Sequence, residues 1–170
     1  MPRRRKRRGH GRPPHLKSTA LSDRVNSDGA ATGDGVPLRE TPGRVDVALA
    51  VPLRDGRFLV ARRQAGKHLS GYWEFPGGKI EAPESPESAA RRELYEETGL
   101  QASRLEPLVV VVHDYADRPL RFHVFLARDP QGDVRIDEGR EWAWMTSKDL
   151  REIEMPPANR PILRALRWRR

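Results

Sequence analysis

The chain contains no cysteine and no long apolar run, and both absences limit what it can be. Without cysteine there is no disulfide framework and no thiolate metal site. No stretch approaches the roughly 18 consecutive apolar residues that a membrane-spanning helix needs. A secretory signal peptide is not indicated, because no apolar segment follows the arginines at the N-terminus. We therefore expect a cytoplasmic protein without a membrane partner.

Positive charge is concentrated at the N-terminus. Of 32 Lys/Arg and 24 Asp/Glu, ten and four lie in residues 1–43, which leaves 22 and 20 for the rest. Residues 1–43 have few large apolar side chains, so burial cannot offset the loss of chain entropy. We predict a disordered basic tail over residues 1–43 and one domain over residues 44–170. The arginine-rich run at residues 3–8 is a nucleic-acid contact, a nuclear address or a leader without function.

The domain alternates between strand and helix patterns. Strands are predicted at residues 45–51, 57–62, 73–75, 105–115, 120–127 and 141–145, with helices at 86–98 and 157–168. Residues 105–115 contain four consecutive valines, which predicts a buried central strand. Helices on both faces of a mixed β-sheet would give an α/β/α sandwich.

The first helix has clear local boundaries. Ser85 has the properties of an N-cap, and Pro86 occupies the favoured first helical position. Gly99 is typical of the residue that follows a helix end. Arg92 is free to pair with a carboxylate, and Glu84 in the preceding loop is the candidate.

Three glutamates, Glu93, Glu96 and Glu97, lie at i, i+3 and i+4 and therefore share one helical face. Carboxylates grouped in this way repel each other, so an ordinary solvated helix gains nothing from them. Mg²⁺ prefers oxygen ligands and is commonly shared between carboxylates and substrate phosphates. The preceding Gly77 and Gly78 allow the backbone to approach a metal or phosphate closely. The alternative is an acidic surface helix after a glycine turn.

The spacing Gly78, five residues, Glu84, seven residues, then residues 92–100 (RELYEETGL) resembles an unbroken Nudix box. This resemblance implies the α/β/α sandwich of the Nudix fold over the domain and hydrolysis of a phosphoanhydride with Mg²⁺, or with Mn²⁺ as the alternative ion. It also implies catalytic roles for Arg92 and for the box glutamates. Glu138 is a metal ligand, the general base, or a plain surface carboxylate. The implied metal ligands are Glu93, Glu96, Glu97, Glu138 and the carbonyl of Gly77.

Four further stretches resemble the MutT branch of that family, the oxidised-guanine nucleotide diphosphatases. They are residues 61–63 with His68, residues 73–81 (WEFPGGKIE), residues 114–118 (DYADR) and residues 156–161 (PPANRP). By this resemblance Asn159 faces the base. Oxidation at C8 turns guanine N7 from an acceptor into a donor, and one amide matches the resulting donor–acceptor pair. The implied substrate-binding residues are Arg63, His68, Glu74, Phe75, Pro76, Gly77, Tyr115, Arg118 and Asn159.

Each of these assignments has a structural alternative. Phe75 is equally explained as a core residue, His68 as an incidental loop residue and Arg118 as a solvated side chain. Lys79 is interpreted as a structural loop residue. Asn159 is alternatively a helix cap, because asparagine is well suited to that position. Tyr115 stands where phenylalanine is typical of the branch, so its ring gains a polar end.

The leading hypothesis is a monomeric, Mg²⁺-dependent pyrophosphohydrolase that converts 8-oxo-dGTP into 8-oxo-dGMP and pyrophosphate. Such an enzyme removes a mutagenic precursor from the nucleotide pool before DNA replication. The alternative within the enzyme class is a Nudix hydrolase of another triphosphate, such as CTP, or of a sugar nucleotide. The alternative from another class is a non-catalytic module that binds oxidised guanine.

Overall fold

The computed structural model describes residues 43–64, 66, 69–116, 118–137 and 139–167. Residues 1–42 of the predicted tail, His68 and Glu138 lie outside these residues. Within the described part, no helix is both long enough and apolar enough to cross a membrane. The elements, in chain order, are β1 (Val45–Arg54), β2 (Arg57–Arg62), β3 (Trp73–Glu74), β4 (Gly77–Lys79), α1 (Pro86–Thr98), β5 (Leu105–Tyr115), β6 (Arg118–Arg128), β7 (Trp142–Met145), α2 (Asp149–Glu152), a 3₁₀ turn (Pro157–Asn159) and α3 (Arg160–Leu166).

The strands form one mixed sheet with β1 at its centre. The order is β3-β2-β1-β6-β5, with β4 also paired to β1 and β7 to β2. β1 and β6 run parallel, whereas the other pairs are antiparallel. β1 and β2 form a hairpin, and both of its turn residues, Asp55 and Gly56, have positive φ.

Helices cover both faces of this sheet. Along β1, Leu49 and Val51 belong to one buried cluster, whereas Ala48 and Ala50 belong to the other, as the alternation of a strand requires. The first cluster includes residues of α3, and the second includes residues of α1. The predicted α/β/α sandwich is therefore confirmed.

The prediction that residues 105–115 form a central strand was wrong. β5 pairs only with β6 among the described strands and lies at the edge of the sheet. Val110 and Val112 are 47% and 57% exposed, because α1 packs over β1 and β4 and does not extend over this edge. The valines give the strand its β-propensity, but strand order depends on long-range pairing that a local apolar run does not encode.

The helix α1 begins and ends as its sequence predicts. The Ser85 side chain accepts a hydrogen bond from the Ser88 N–H, and Pro86 is the first helical residue. Gly99 has a φ of +71°, the left-handed conformation that ends many helices, and its N–H donates to the Tyr95 carbonyl. The closing helix differs from its prediction, because its first turn is the 3₁₀ turn and α3 starts at Arg160.

Candidate active site

Two glycines of β4 link the sheet to α1. β4 was not predicted as a strand, yet it pairs with β1 through Leu49–Gly77 and Ala48–Gly78. A Cβ at Gly77 would clash with the Ala48 carbonyl oxygen, and a Cβ at Gly78 would clash with the Glu93 carboxylate. Both positions therefore require glycine, the first for sheet pairing and the second for the approach of a carboxylate.

Two of the three box carboxylates lie against this glycine pair. Glu93 packs against Gly78, and the Gly77 N–H donates a hydrogen bond of 3.2 Å to Oε2 of Glu97. The Glu96 side chain is 56% exposed and pairs with Arg92 at 3.1 Å. Across the described residues, no three acidic or histidine side chains converge closely enough to hold a metal ion. The donor chemistry nevertheless fits Mg²⁺, because the available groups are carboxylate and carbonyl oxygens beside two glycines.

Arg92 organises the acidic face of α1. It donates to both oxygens of Glu84, from Nε at 2.7 Å and from Nη2 at 2.9 Å, which confirms the predicted pairing. The same guanidinium donates to Glu93 at 2.7 Å. These contacts hold the pKa of Glu84 below its ordinary value and raise the pKa of Arg92. The guanidinium also donates to the Lys79 carbonyl of β4 at 3.2 Å, so Arg92 fixes where these carboxylates lie relative to the sheet.

Among the described acidic residues of the site, Glu97 has the most strongly shifted pKa. Burial raises its pKa from 4.5 to about 7, against the opposing effects of the Arg140 charge and of the Gly77 N–H. The nearby Glu74 and Glu93 add to the increase, because a second negative charge disfavours ionisation. Burial thus brings the pKa of the Glu97 carboxyl close to neutral pH.

Arg140 is a site residue that the sequence analysis missed. Its side chain is only 9% exposed. Its Nε donates to the Arg62 carbonyl at 2.7 Å, and its Nη2 donates to Glu74 at 2.8 Å. Its Nη1 lies 3.9 Å from Glu97. Burial of an arginine is set by tertiary packing, so no motif in residues 137–140 identifies it.

A cavity of about 550 Å³ opens on the opposite face of β1 and reaches the same glycines. This volume suits a nucleotide-sized ligand. Its walls are partly apolar, with Leu49, Leu69 and Phe122 among them. Its polar or charged lining residues are Arg63, Glu74, Lys79, Tyr115, Arg118 and Asn159.

Asn159 lies in this cavity and does not cap α3. Its side chain makes no cap hydrogen bond, although the residue precedes the first residue of the helix. The residue is only 5% exposed. The capping interpretation is therefore wrong, and the amide is placed where it can face a ligand.

The other predicted substrate-binding residues occupy different positions. Phe75 is 2% exposed and belongs to the core, and it also lines the cavity. Glu74 is paired with Arg63 and Arg140. Lys79, interpreted from sequence as structural, lines the cavity too. The Pro76 carbonyl accepts a hydrogen bond from the Ala50 N–H at 3.0 Å. Of the predicted residues, those at the cavity are Arg63, Glu74, Phe75, Gly77, Tyr115, Arg118 and Asn159.

Comparisons with known proteins agree with this arrangement. A model of the NUDIX domain matches residues 43–166. The chain is 32% identical over 121 residues to the CTP pyrophosphohydrolase of Escherichia coli, covering 71% of this chain and 90% of that protein. It is 33% identical over 113 residues to the 8-oxo-dGTP diphosphatase of the same organism, covering 66% of this chain and 88% of the relative.

Solved structures give the same result. A MutT Nudix hydrolase from Burkholderia pseudomallei superposes with a TM-score of 0.61 at 30% identity, covering 73% of this chain and 96% of the other. The family match extends over more than half of the chain and includes the glycine pair, α1 and the cavity residues. The chain therefore belongs to the Nudix family, as a MutT-like hydrolase of phosphoanhydride bonds.

Proposed function

We propose that the chain is an Mg²⁺-dependent nucleoside triphosphate pyrophosphohydrolase whose preferred substrate is 8-oxo-dGTP. The observation that carries the proposal is the position of Asn159. This buried residue lines a nucleotide-sized cavity whose lining also includes Gly77 and Gly78, and those two glycines contact Glu97 and Glu93. A base held at Asn159 would leave its phosphates directed towards those carboxylates.

The residues around the glycines supply the chemistry. When bound, Mg²⁺ would neutralise phosphate oxygens and lower the pKa of a water molecule. Glu93, Glu96, Glu97 and the Gly77 carbonyl would hold the ion, and Glu138 keeps its predicted role as a ligand or base. Arg92 orients two of these carboxylates through its bonds at 2.7 and 3.1 Å. A neighbouring carboxylate would take the proton of the water as its oxygen attacks a phosphorus of the anhydride between the α- and β-phosphates. The bridging P–O bond then breaks, which releases the nucleoside monophosphate and pyrophosphate.

The Asn159 amide would discriminate against ordinary guanine. Guanine presents two acceptors, O6 and N7, on one edge, so one of its contacts with an amide is repulsive. Its 8-oxo form presents O6 as an acceptor beside N7–H as a donor, and a single amide satisfies both. Adenine also presents a donor beside an acceptor on this edge. The choice between 8-oxoguanine and adenine must therefore come from the shape of the cavity and its other polar groups.

CTP is the second candidate substrate. The relative named CTP pyrophosphohydrolase is as similar to this chain as the one named 8-oxo-dGTP diphosphatase, at 32% and 33% identity. Cytosine offers an amino donor beside a ring acceptor, so the Asn159 amide does not exclude it. The proposal ranks 8-oxo-dGTP first because residues 156–161 (PPANRP) resemble the MutT branch.

The test is a panel of kcat/KM values for 8-oxo-dGTP, dGTP, dATP and CTP, with product identification in the presence and absence of Mg²⁺. Release of pyrophosphate and preference for 8-oxo-dGTP support the proposal. A preference for CTP of about tenfold or more, equivalent to about 1.4 kcal/mol, would reject the leading substrate.

Two variants test whether the Asn159 amide determines the preference for 8-oxo-dGTP over dGTP. Asn159→Ala is expected to lower the ratio of kcat/KM for 8-oxo-dGTP over dGTP by roughly 5- to 150-fold, because a bidentate contact of about 1–3 kcal/mol is lost. Gln101→Ala, which removes an exposed amide elsewhere, is the control and should leave the ratio unchanged. Equal ratios in the two variants would show that Asn159 does not select the base.

A further inference from the structure

The turn that carries Asn159 has few backbone anchors of its own. Pro156 and Pro157 have no N–H, so neither can donate a hydrogen bond. The Asn159 N–H donates to the Pro156 carbonyl at 2.8 Å, which closes the turn on itself. Ala158 lies between the prolines and Asn159, and its N–H is the other backbone donor of this turn. Ala158 is 2% exposed, and an N–H so deeply buried needs a partner.

That partner is the Tyr115 hydroxyl. The Ala158 N–H donates a hydrogen bond to the phenolic oxygen, which joins the turn to the last residue of β5. Tyr115 lines the cavity together with Ala158 and Asn159. The phenol oxygen is the group that a phenylalanine at this position lacks.

The Tyr115 ring is itself held in place. It packs against the buried cluster on the α3 face of the sheet. It also makes an edge-to-face contact with His113, with the ring centroids 4.4 Å apart. These contacts hold the ring at the end of β5, from which its hydroxyl reaches the turn.

We propose that Tyr115 is a positioning residue for base selection: its hydroxyl holds Ala158 and thereby fixes where the neighbouring Asn159 amide lies in the cavity. This inference rests on the proposed function, because it assigns discrimination between oxidised and ordinary guanine to that amide. Discrimination by paired hydrogen bonds requires that both contacts are aligned, so a small displacement of the turn weakens selectivity before it weakens chemistry.

Tyr115→Phe is the test, since it keeps the ring and removes only the hydroxyl. The expected result is a fall of about tenfold in the kcat/KM ratio of 8-oxo-dGTP over dGTP, as a buried hydrogen bond would give. The loss should appear mainly in KM for 8-oxo-dGTP, with kcat changed by less than about twofold, because the glutamates at Gly77 and Gly78 are untouched. Tyr95→Phe removes the hydroxyl of a tyrosine that is 55% exposed and is the matched control.

A second readout does not depend on turnover. Binding of 8-oxo-dGMP and of dGMP, measured by calorimetry without metal, should show the same loss of selectivity in Tyr115→Phe. An unchanged ratio in both kinetics and binding would overturn the inference, as would a loss of kcat at constant selectivity.

Asn159→Ala, measured in parallel, separates this inference from the proposed function. If Asn159→Ala lowers the ratio and Tyr115→Phe does not, only the positioning role of Tyr115 fails. If Asn159→Ala leaves the ratio unchanged, base selection by the amide fails and the role of Tyr115 fails with it.

Discussion

Nη1 of Arg140 lies 3.9 Å from Oε1 of Glu97, close enough for attraction but beyond hydrogen-bond distance. The arginine is held by its bonds to the Arg62 carbonyl and to Glu74, so its charge faces Glu97 at a fixed position. A cation placed in this way reduces the free-energy cost of burying the carboxylate, although it does not donate a hydrogen bond to it. The relationship gives the first prediction.

Arg140→Gln should lower the free energy of unfolding by about 3 kcal/mol at pH 8, because two partly buried carboxylates lose their shared cation. Urea unfolding of the metal-free protein measures this change. Arg62→Gln removes an ion pair whose side chains are 46% and 61% exposed, and it should cost less than about 1 kcal/mol. Similar losses in the two variants would contradict the assigned role of Arg140.

The raised pKa of Glu97 predicts a pH-dependent stability. Its pKa is 4.5 ordinarily and about 7 in the folded, metal-free protein, so the folded state binds the proton more tightly. The resulting stabilisation is fully present below pH 4.5 and is lost as the pH rises through 7. A shift of this size corresponds to about 3 kcal/mol at most.

Glu97→Gln isolates that contribution, because the glutamine cannot titrate. The free energies of unfolding of the unsubstituted chain and of Glu97→Gln should be measured in EDTA between pH 4.5 and 8. The difference between the two values should change with pH over this range. A difference that stays constant with pH would mean that Glu97 titrates at its ordinary value.

Gly77→Ala and Gly78→Ala should have different consequences, although the residues are adjacent. A Cβ at Gly77 meets backbone of β1, which cannot yield, so this variant should lose stability or fail to fold. A Cβ at Gly78 meets the Glu93 carboxylate, which is the end of a side chain and not backbone, so Glu93 can be displaced and this variant should fold. Its kcat should fall by about 100-fold as Glu93 is displaced. Thermal unfolding and steady-state kinetics distinguish the two, and a fully active Gly78→Ala would contradict the placement of Glu93.

Arg92→Lys should lower kcat/KM by about 100-fold, because lysine cannot reproduce the forked contacts with Glu84 while also holding Glu93. Arg91→Lys is the matched control on the neighbouring position. Arg91 bonds Glu87 and the Ala102 carbonyl, away from the glycines, so its variant should keep activity within about threefold. Equal losses would show that Arg92 contributes only to the stability of α1.

The parts of the site that the sequence predicts are the local ones. The boundaries of α1 and the Arg92–Glu84 pairing depend on residues fewer than ten positions apart, and the structure confirms them. The edge position of β5 and the pairing of β4 with β1 were not predicted, because both depend on which strands meet across the fold. Gly77 and Gly78 also lack the side chains that signal a strand.

The burial of charged side chains also could not be predicted from the sequence. Arg140 and Glu97 differ from exposed arginines and glutamates only through tertiary packing, so neither the guanidinium contacts nor the raised pKa is visible in the sequence. His68, Glu138 and residues 1–42 of the basic tail lie outside the described residues, and their roles stay predictions.

The most direct measurement of the central claim is the turnover of 8-oxo-dGTP by the Glu97→Gln variant beside the unsubstituted chain, with Mg²⁺ present and products identified. The account predicts that the unsubstituted chain releases 8-oxo-dGMP and pyrophosphate, and that Glu97→Gln folds but loses at least about 100-fold in kcat. An unchanged rate in Glu97→Gln, or no hydrolysis of any nucleotide by the unsubstituted chain, would contradict it.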